Sequence, residues 1–321
     1  MNIVANIKPG IMLGFTFGLL LFASLAKAGD MLFTDHPLAG KIWDMHSRSF
    51  IDEAALLARI NTINVLLLGE VHDNPQHHEN QQKLLKAQIE SGAHPALMME
   101  QLEAENQPAI NLALVGSNRD ESLAHLTGLI KFADKHFYSP LLAIAYDNKL
   151  PVIAANIPRQ QLQPAIWRGY AAYDADELKR LAVEEVWDER RQNYLASQMG
   201  GAHCGQLREE LRVGLSRSQR LRDALMVDSA VSSVETGIVA IVGRDHARHD
   251  IGLPLYFAAR APAAHIFSIG FVEVRPDITD PIGYETASAT DDAPYDVIWF
   301  TPRADRTDPC ANFVKPKEAQ P

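Results

Sequence analysis

Cysteine is almost absent from this chain of 321 residues, which contains only Cys204 and Cys310. Two cysteines cannot form a disulfide framework or a structural zinc site built from cysteines, and the sequence leaves open whether they pair with each other. Positive charge is also scarce, with 30 Lys and Arg against 40 Asp and Glu and a formal net charge of −10. An acidic surface argues against nucleic-acid partners and anionic membranes. This composition fits a globular enzyme or binding protein.

The chain also lacks an uninterrupted apolar run of the ~20 residues that a membrane-spanning helix needs. An apolar stretch at 11–22 is shorter and is interrupted by glycine. It follows Lys8 and precedes Ala26-Lys27-Ala28, an A-x-A pattern typical of signal-peptide cleavage. Cleavage after Ala28 removes a predicted signal peptide at 1–28 that has two Lys and no acidic residue, so the net charge changes from −10 to −12. We expect a periplasmic or secreted protein without stable membrane insertion, and an uncleaved anchor is the alternative.

The segment from Asn64 to Gln81, NVLLLGEVHDNPQHHENQ, combines a strand pattern with ionisable residues. Its apolar run stops at Gly69 and is followed at once by Glu70, His72 and Asp73. A short apolar run bounded by glycine is typical of a strand buried on both faces, and the Asn-Pro pair that follows is suited to start a helix. The pattern therefore places a carboxylate and an imidazole where open α/β sheets bind ligands. The alternative is that these side chains only pair with loop backbone.

Strand and helix patterns alternate along the rest of the chain. Strands are predicted at 96–99, 151–154, 237–242 and 263–272, with an edge strand at 296–301, and helices at 76–90, 112–129 and 140–148. This alternation predicts an α/β fold, a parallel sheet with flanking helices. No convincing strand occurs from 160 to 234, which predicts a smaller helical lid subdomain over the carboxyl edge of the sheet. The aromatic residues there could instead fill that subdomain's own core. The polar, Pro-rich tail after Arg303 is predicted to be loose.

Two G-x-x-H motifs, which end at His72 and His246, each follow an apolar strand. Both histidines reach the same edge of the sheet if the two strands are neighbours. Together with Glu70 and Glu100, which ends the strand at 96–99, they form a mixed imidazole and carboxylate set suited to Zn, Mn or Fe. Alternatively, the two carboxylates act as acid and base beside an imidazole.

Several ordered segments carry a resemblance to a known family. They are LLLGEVHDNPQHHENQ, MMEQ, FYSPLLAIAYDNKLPVIAANIPR, GGAHCG, QRLRDALM and IVGRDHARHDIGLP. With them the sequence resembles the ChaN-like haem-binding uptake proteins of the Tiki superfamily. The resemblance implies a haem-binding domain at 42–272, with the helical lid at 157–234 inside it and a C-terminal extension and tail at 273–321. Characterised members are lipoproteins, whereas this chain lacks a lipobox cysteine.

The resemblance also implies functional residues. The wider superfamily, which includes metal-dependent proteases and erythromycin-esterase-like hydrolases, shares paired G-x-x-H histidines, here His72 and His246. A strand-end Glu belongs to that set, and so does an arginine that we match to Arg222. In QRLRDALM, Arg222 and Asp223 flank the apolar face of a predicted helix, so either could instead form a surface salt bridge.

Two functions follow from these observations. The first is an exported haem-binding protein in haem or iron uptake, whose iron takes Tyr or His as axial ligand and whose propionates meet Arg. Candidate ligands in the lid are Tyr170, Tyr173, Tyr194 and His203. Haem, a large apolar disc, is expected against the lid and not in the crowded strand-end set; the alternative is that these rings only pack. A homo-oligomer is compatible with the sequence.

The second function is a metal-dependent hydrolase. Glu70, Glu100 and Arg222 are its candidate catalytic residues, and His72 and His246 its candidate ligands for a divalent metal ion.

Overall fold

The computed structural model describes residues 31–132, 134–202, 204–285, 288–307 and 310. The predicted signal peptide at 1–28 and the candidate ligand His203 lie outside the described residues, so both remain predictions. Among the residues that are described, no helix is long and apolar enough to cross a membrane.

The apolar runs form strands that are bounded by polar or glycine-containing loops. The strands are β1 Met31–Leu32, β2 Ile42–Asp44, β3 Ser49–Ile51, β4 Val65–Glu70, β5 Ala96–Glu103, β6 Val152–Asn156, β7 Ile238–Gly243, β8 Ile266–Glu273, β9 Val297–Thr301 and β10 Arg303–Ala304. The helices are α1 Glu53–Ile60, α2 Pro75–Glu90, α3 Gln107–Leu114, α4 Arg119–Gly128, α5 Ser139–Asp147, α6 Arg159–Arg168, α7 Ala175–Arg180, α8 Glu189–Ala202, α9 Glu209–Ala230 and α10 Leu253–Arg260.

The main sheet has the strand order β3-β2-β9-β8-β4-β7-β5-β6. The strands from β9 to β6 are parallel, and β2 and β3 continue the sheet antiparallel at one edge. The predicted α/β class with a parallel sheet is therefore confirmed. The prediction of an edge strand at 296–301 is wrong, because β9 lies inside the sheet between β8 and β2. Strands β2 and β3 lie beyond β9 at this edge of the sheet. With three residues each, they are too short to show a strand pattern in the sequence.

Helices cover both faces of the sheet, as expected for a parallel sheet that is buried on both sides. One buried cluster joins the sheet to α1–α5, and the other joins it to α6, α8, α9 and α10. Within 157–234, Trp187, Leu195 and Leu221 share a cluster with Met98 and Val242 of the sheet. Tyr170 and Trp187 of the predicted lid thus belong to the same core as the sheet and not to a separate one, whereas Trp167 is exposed.

The region 112–129 forms two helices, so the prediction of a single helix there is wrong. Helix α3 ends at Leu114, and α4 begins after Asn118, whose side chain accepts a hydrogen bond from the backbone of Glu121. A capping side chain of this kind satisfies a free N–H group at a helix start, which favours a new helix over continuation of the old one. The start predicted for α2 is confirmed, because Asn74 caps it and Pro75 is its first residue.

The described part of the C-terminal tail, residues 304–307 and 310, is attached to the rest of the molecule and is not loose as predicted, and the other tail residues lie outside the described ones. The guanidinium of Arg306 donates to both Asp73 and Glu273, at 2.5–2.7 Å. Cys310 forms a disulfide with Cys204, and their Cα atoms are 5.5 Å apart. Charge pairing and the disulfide hold these residues although their composition is polar.

Candidate functional site

The carboxyl ends of three neighbouring strands, β4, β7 and β5, meet at one edge of the sheet. In register, Glu70 lies beside Gly243, and Met99, which precedes Glu100, lies beside Ile241. These ends and helix α9 line a cavity of about 350 Å³. Five ionisable residues of this cavity, which we call the strand-end cluster, are Glu70, His72, Glu100, Asp223 and His246.

Glu70 is buried and is held by hydrogen bonds from several directions. Its Oε1 accepts from the hydroxyl of Tyr138 at 2.6 Å and from Nε2 of Gln101 at 3.0 Å. Its Oε2 accepts from Nε2 of Gln81 at 2.6 Å. The carboxylate also lies 2.8 Å from Nδ1 of His72. Because the carboxylate occupies Nδ1, it fixes the orientation of the His72 ring.

His72 presents its other nitrogen to the cavity. A Cβ atom placed on Gly243 would lie 3.3 Å from Nε2 of His72 and 3.4 Å from Oε2 of Glu100, so both groups face this glycine. Burial alone would lower the pKa of His72, but the carboxylates of Glu70 and Glu100 outweigh it and raise the pKa. An imidazole oriented by a carboxylate, with one nitrogen open to a cavity, has the geometry of a general base.

His246 lies between two carboxylates. Its Nδ1 is 2.5 Å from Asp223, and its Nε2 is 3.5 Å from Glu100 and 3.0 Å from Nε2 of Gln219. Burial opposes the charged ring, but the two carboxylates raise the pKa of His246 well above its usual value. The two carboxylates therefore favour the charged form of the His246 ring.

The two carboxylates around His246 differ in their electrostatics. Burial would raise the pKa of Glu100, but the charges of His246 and His72 and a 2.6 Å hydrogen bond from the Gly243 amide lower it. Burial raises the pKa of Asp223 in spite of its contact with His246. Glu100 is thus the carboxylate that stays ionised most readily.

The glycines that begin the two G-x-x-H motifs allow the motif loops to touch. A Cβ on Gly69 would lie 2.8 Å from the Cβ of Ala247 and 3.1 Å from the Cα of Arg244. Gly243 has the corresponding role beside His72. A side chain at either position would separate the two loops, so these glycines set the spacing of the site.

The structure brings together Glu70, His72, Glu100 and His246, as the sequence predicts, although their chemical roles remain predictions. Arg222 is half-buried and donates to Oδ1 of Asn156 at 2.7 Å; it does not line the cavity.

Asp223 is the residue of helix α9 that enters the cluster, and sequence reasoning considered it only for a surface salt bridge. It is 1% exposed, so the surface interpretation is wrong. Gln219 and Asp223, four residues apart and therefore on one helix face, both line the cavity. This four-residue spacing was the sequence signal that could have placed Asp223 in the site. Tyr138, Gln81 and Gln101 were also missed, although they stand in the segments that carry the family resemblance.

Two candidate haem ligands, Tyr170 and Tyr173, use their hydroxyl groups within the helical region. Tyr170 donates to the carbonyl of Arg217 at 2.9 Å, and Tyr173 donates to the carbonyl of Gln161 at 2.7 Å. Tyr170 begins a short 3-10 turn and Tyr173 has an extended backbone, so the two residues do not lie on one face of a helix. The left-handed backbone of Gly169, with φ of 70°, separates them from α6.

Tyr194 on α8 has a different environment, in a second cavity of about 290 Å³ next to the first. The guanidinium carbon of Arg248 lies 5.3 Å from the centre of its ring. We call this second cavity the arginine cavity, and its lining includes Tyr194, Arg244, Arg248, Arg275, Tyr284 and Tyr295. Arg244 and Asp245 line both cavities, so the two are adjacent.

The predicted divalent-metal site is not supported by the geometry. Among the residues described, no group of three or more His, Cys, Asp or Glu side chains is arranged to hold a metal ion. In the strand-end cluster the carboxylates of Glu70 and Asp223 are engaged with His72 and His246 instead.

Comparison with known proteins places this geometry in context. The sequence profile of the family described as "Haem-binding uptake, Tiki superfamily, ChaN" matches residues 56–257. The solved structure described as "Cofacial heme binding to ChaN of Campylobacter jejuni" has a TM-score of 0.63 at 19% identity and covers 80% of this chain and 95% of that chain. At this identity the likeness establishes a shared fold.

A succinoglycan biosynthesis protein has a TM-score of 0.38 at 13% identity, covering 77% of this chain and 73% of its own. No curated protein matches this chain.

Proposed function

Because the chain belongs to the ChaN family of haem-binding uptake proteins in the Tiki superfamily, we propose that it is an exported haem-binding protein that acts in haem or iron uptake. The observation that carries the proposal is the arginine cavity, in which a tyrosine of the lid lies among arginines beside the sheet edge. The similar Campylobacter jejuni structure is described as one of haem binding, which supports haem as the ligand here.

The residues of the arginine cavity fit the chemistry of haem. Tyr194, Tyr284 and Tyr295 supply aromatic walls, and the neighbouring cavity adds Leu195, Met199 and Ile251. Arginine pairs well with carboxylates such as the haem propionates. Bound haem supplies an iron centre that takes an axial ligand from the protein, commonly His or Tyr.

Tyr194 is the candidate ligand that the structure favours. The hydroxyls of Tyr170 and Tyr173 are engaged with backbone groups, whereas Tyr194 lines the cavity. Burial raises the pKa of Tyr194, and the guanidinium of Arg248, which is hydrogen-bonded to it, opposes that shift. A cation beside the phenol stabilises the phenolate form, which is the form that ligates ferric iron.

Titration of the exported protein with haemin tests this proposal. Wild type should develop the visible spectrum of a tyrosine-ligated ferric haem, and Tyr194→Phe should lose it. Tyr173→Phe is the matched control, because its hydroxyl bonds only to backbone, and it should keep the spectrum. If Tyr194→Phe is unchanged while His72→Ala or His246→Ala abolishes the spectrum, the iron lies at the strand ends and the lid assignment is wrong.

Export is tested separately. The A-x-A pattern predicts that the intact mass of the exported protein begins at Gly29, and a retained N-terminus with membrane association would favour an anchor. Size-exclusion chromatography with and without haemin tests the predicted homo-oligomer.

A second candidate function is hydrolysis, and the two oriented imidazoles favour it. Nε2 of His72 can accept a proton from water as the water oxygen attacks an ester carbonyl, and cationic His246 can stabilise the negative charge that develops. His72 must be neutral to act as base, and its pKa is raised, so the rate should increase as pH rises through that pKa.

Hydrolysis of p-nitrophenyl acetate by wild type and His72→Gln tests this function. The variant should lose the enzymatic rate, and equal rates in both proteins would reject it. The predicted role of Arg222 in steadying negative charge is tested in the same assay: Arg222→Ala should lower the rate or ligand affinity far more than the melting temperature.

A further inference from the structure

We propose that Arg244 and Arg275 form an anion-binding subsite in the arginine cavity, which takes the carboxylates of the ligand. This inference rests on the proposed function, because haem presents two propionates on an otherwise apolar ring. The subsite goes beyond the iron ligand, since it assigns the polar end of the ligand to two named cations. Arginine suits this task, because its planar fork matches the two oxygens of a carboxylate.

Arg244 stands directly after strand β7, in the motif that ends at His246, and neither candidate function has given it an individual role. Arg244 is half-buried and lines both the cavity that holds the strand-end cluster and the arginine cavity. Within the part of the chain that the structure describes, its guanidinium forms no ion pair. A partly buried cation without a counter-ion has lost part of its hydration, which favours the binding of an anionic group beside it.

Two other charged residues of the arginine cavity, unlike Arg244, are ion-paired within the protein. Arg248 is paired with Asp250 through two hydrogen bonds of 2.8 Å. Glu273 is paired with Arg306 at 2.5–2.6 Å. The two charges within each pair cancel. The charges that remain in the lining of the cavity are two positive ones, on Arg244 and Arg275, and one negative one, on Asp245. The cavity is therefore locally positive in a chain with a net charge of −10.

Arg275 is exposed but is held in place. Its guanidinium carbon lies 4.6 Å from the centre of the Tyr284 ring, and one of its nitrogens donates to the carbonyl of Gly283. The ring is fixed in turn, because the Tyr284 hydroxyl accepts from the backbone N–H of Arg275 at 2.6 Å. A guanidinium held on an aromatic face loses less conformational freedom when it binds an anion.

Three porphyrins separate the contributions of carboxylates and iron. Haemin has both, haemin dimethyl ester has blocked carboxylates, and protoporphyrin IX lacks iron. Each is titrated into wild type, Arg244→Gln, Arg244→Lys, Arg275→Gln and Tyr194→Phe, with absorbance and tryptophan fluorescence as the readouts. Arg119→Gln is the control, because Arg119 is an exposed arginine of α4 that lines neither cavity.

We expect Arg244→Gln to weaken haemin and protoporphyrin IX by about tenfold or more, the usual value of a charged hydrogen bond. The same variant should leave the ester almost unaffected, and Arg244→Lys should lie between Gln and wild type. Arg275→Gln should show a smaller loss of the same kind. Tyr194→Phe should weaken haemin but not protoporphyrin IX.

Equal haemin affinity in wild type and Arg244→Gln, or equal wild-type affinity for haemin and its ester, overturns the subsite while haem binding stands. No binding of haemin by wild type overturns the proposed function and the subsite with it. If Arg244→Gln does not fold, the Lys variant and the wild-type comparison of haemin with its ester still decide the question.

Discussion

The cavity that holds the strand-end cluster and the arginine cavity are neighbours, because Arg244 and Asp245 line both, yet the two regions differ in how their charges are paired. In the cluster every carboxylate is hydrogen-bonded or ion-paired to a neighbouring side chain or amide. In the arginine cavity two guanidinium groups have no ion pair within the described chain. Deeply buried charges must be paired because their desolvation is costly, whereas groups open to solvent can stay unpaired. The fold thus completes the first site by itself, and we propose that a ligand completes the second.

The largest effect should come from opening the cluster. Glu70→Ala leaves the buried hydroxyl of Tyr138 and the amides of Gln81 and Gln101 without their acceptor. We expect the free energy of unfolding to fall by about 3–5 kcal/mol, as when one partner of a buried pair is removed. Urea denaturation measures it, with exposed Glu90→Ala as the control. A loss below about 1 kcal/mol would show that the cluster is not internally completed.

A smaller loss should follow from separating the two regions. Gly69→Ala places a Cβ 2.8 Å from the Cβ of Ala247 and 3.1 Å from the Cα of Arg244. We expect a cost of about 1–3 kcal/mol from overpacking, together with weaker haemin binding because Arg244 is displaced. Gly128→Ala is the control, since no atom lies within 4 Å of the added Cβ. Equal free energies of unfolding in the two variants would show that Gly69 does not set the spacing of the loops.

The third prediction concerns pH. The pKa of Glu100 is lowered in the folded protein from its ordinary value of 4.5, so its stabilising contribution is fully present above pH 4.5 and declines below it. The decline has a limiting slope of about 1.4 kcal/mol per pH unit. Unfolding of wild type and Glu100→Gln at several pH values between 3 and 6 should therefore show a shallower acid loss in the variant. Parallel curves of stability against pH for the two proteins would contradict a lowered pKa for Glu100.

The smallest effect on stability should come from the arginine cavity itself. Arg275→Gln removes an exposed cation that has no ion pair in the described chain but contacts the Tyr284 ring, so the free energy of unfolding should fall by no more than about 1 kcal/mol. Haemin affinity should fall all the same. A large loss of stability without loss of affinity would mean that Arg275 is structural, and the contrast between the two regions would fail.

Local pattern was sufficient for much of the site. Apolar runs interrupted by glycine indicated β4 and β7, and the ionisable residues after them indicated the functional edge, because parallel strands all place their carboxyl ends on the same side. The start of α2 was predictable for a similar reason: an Asn side chain and a proline satisfy a helix start within three or four residues. Such features depend on neighbours in the chain, so the amino-acid order alone contains them.

Other features depend on contacts between distant segments, and only the tertiary structure decided them. Cys204 and Cys310 pair across 106 positions. Asp223 enters the cluster because α9 packs its face against the sheet, and a helix pattern does not say which flank of an apolar face is buried.

The same limit applies to the tyrosines. Tyr170, Tyr173 and Tyr194 are equivalent as residue types, and what separates them is the partner of each hydroxyl: a backbone carbonyl for the first two, and the guanidinium of Arg248 in the arginine cavity for Tyr194. A hydroxyl finds its partner only when the chain is packed. The sequence therefore determined which edge of the sheet would be functional, and the packing decided which side chains face it.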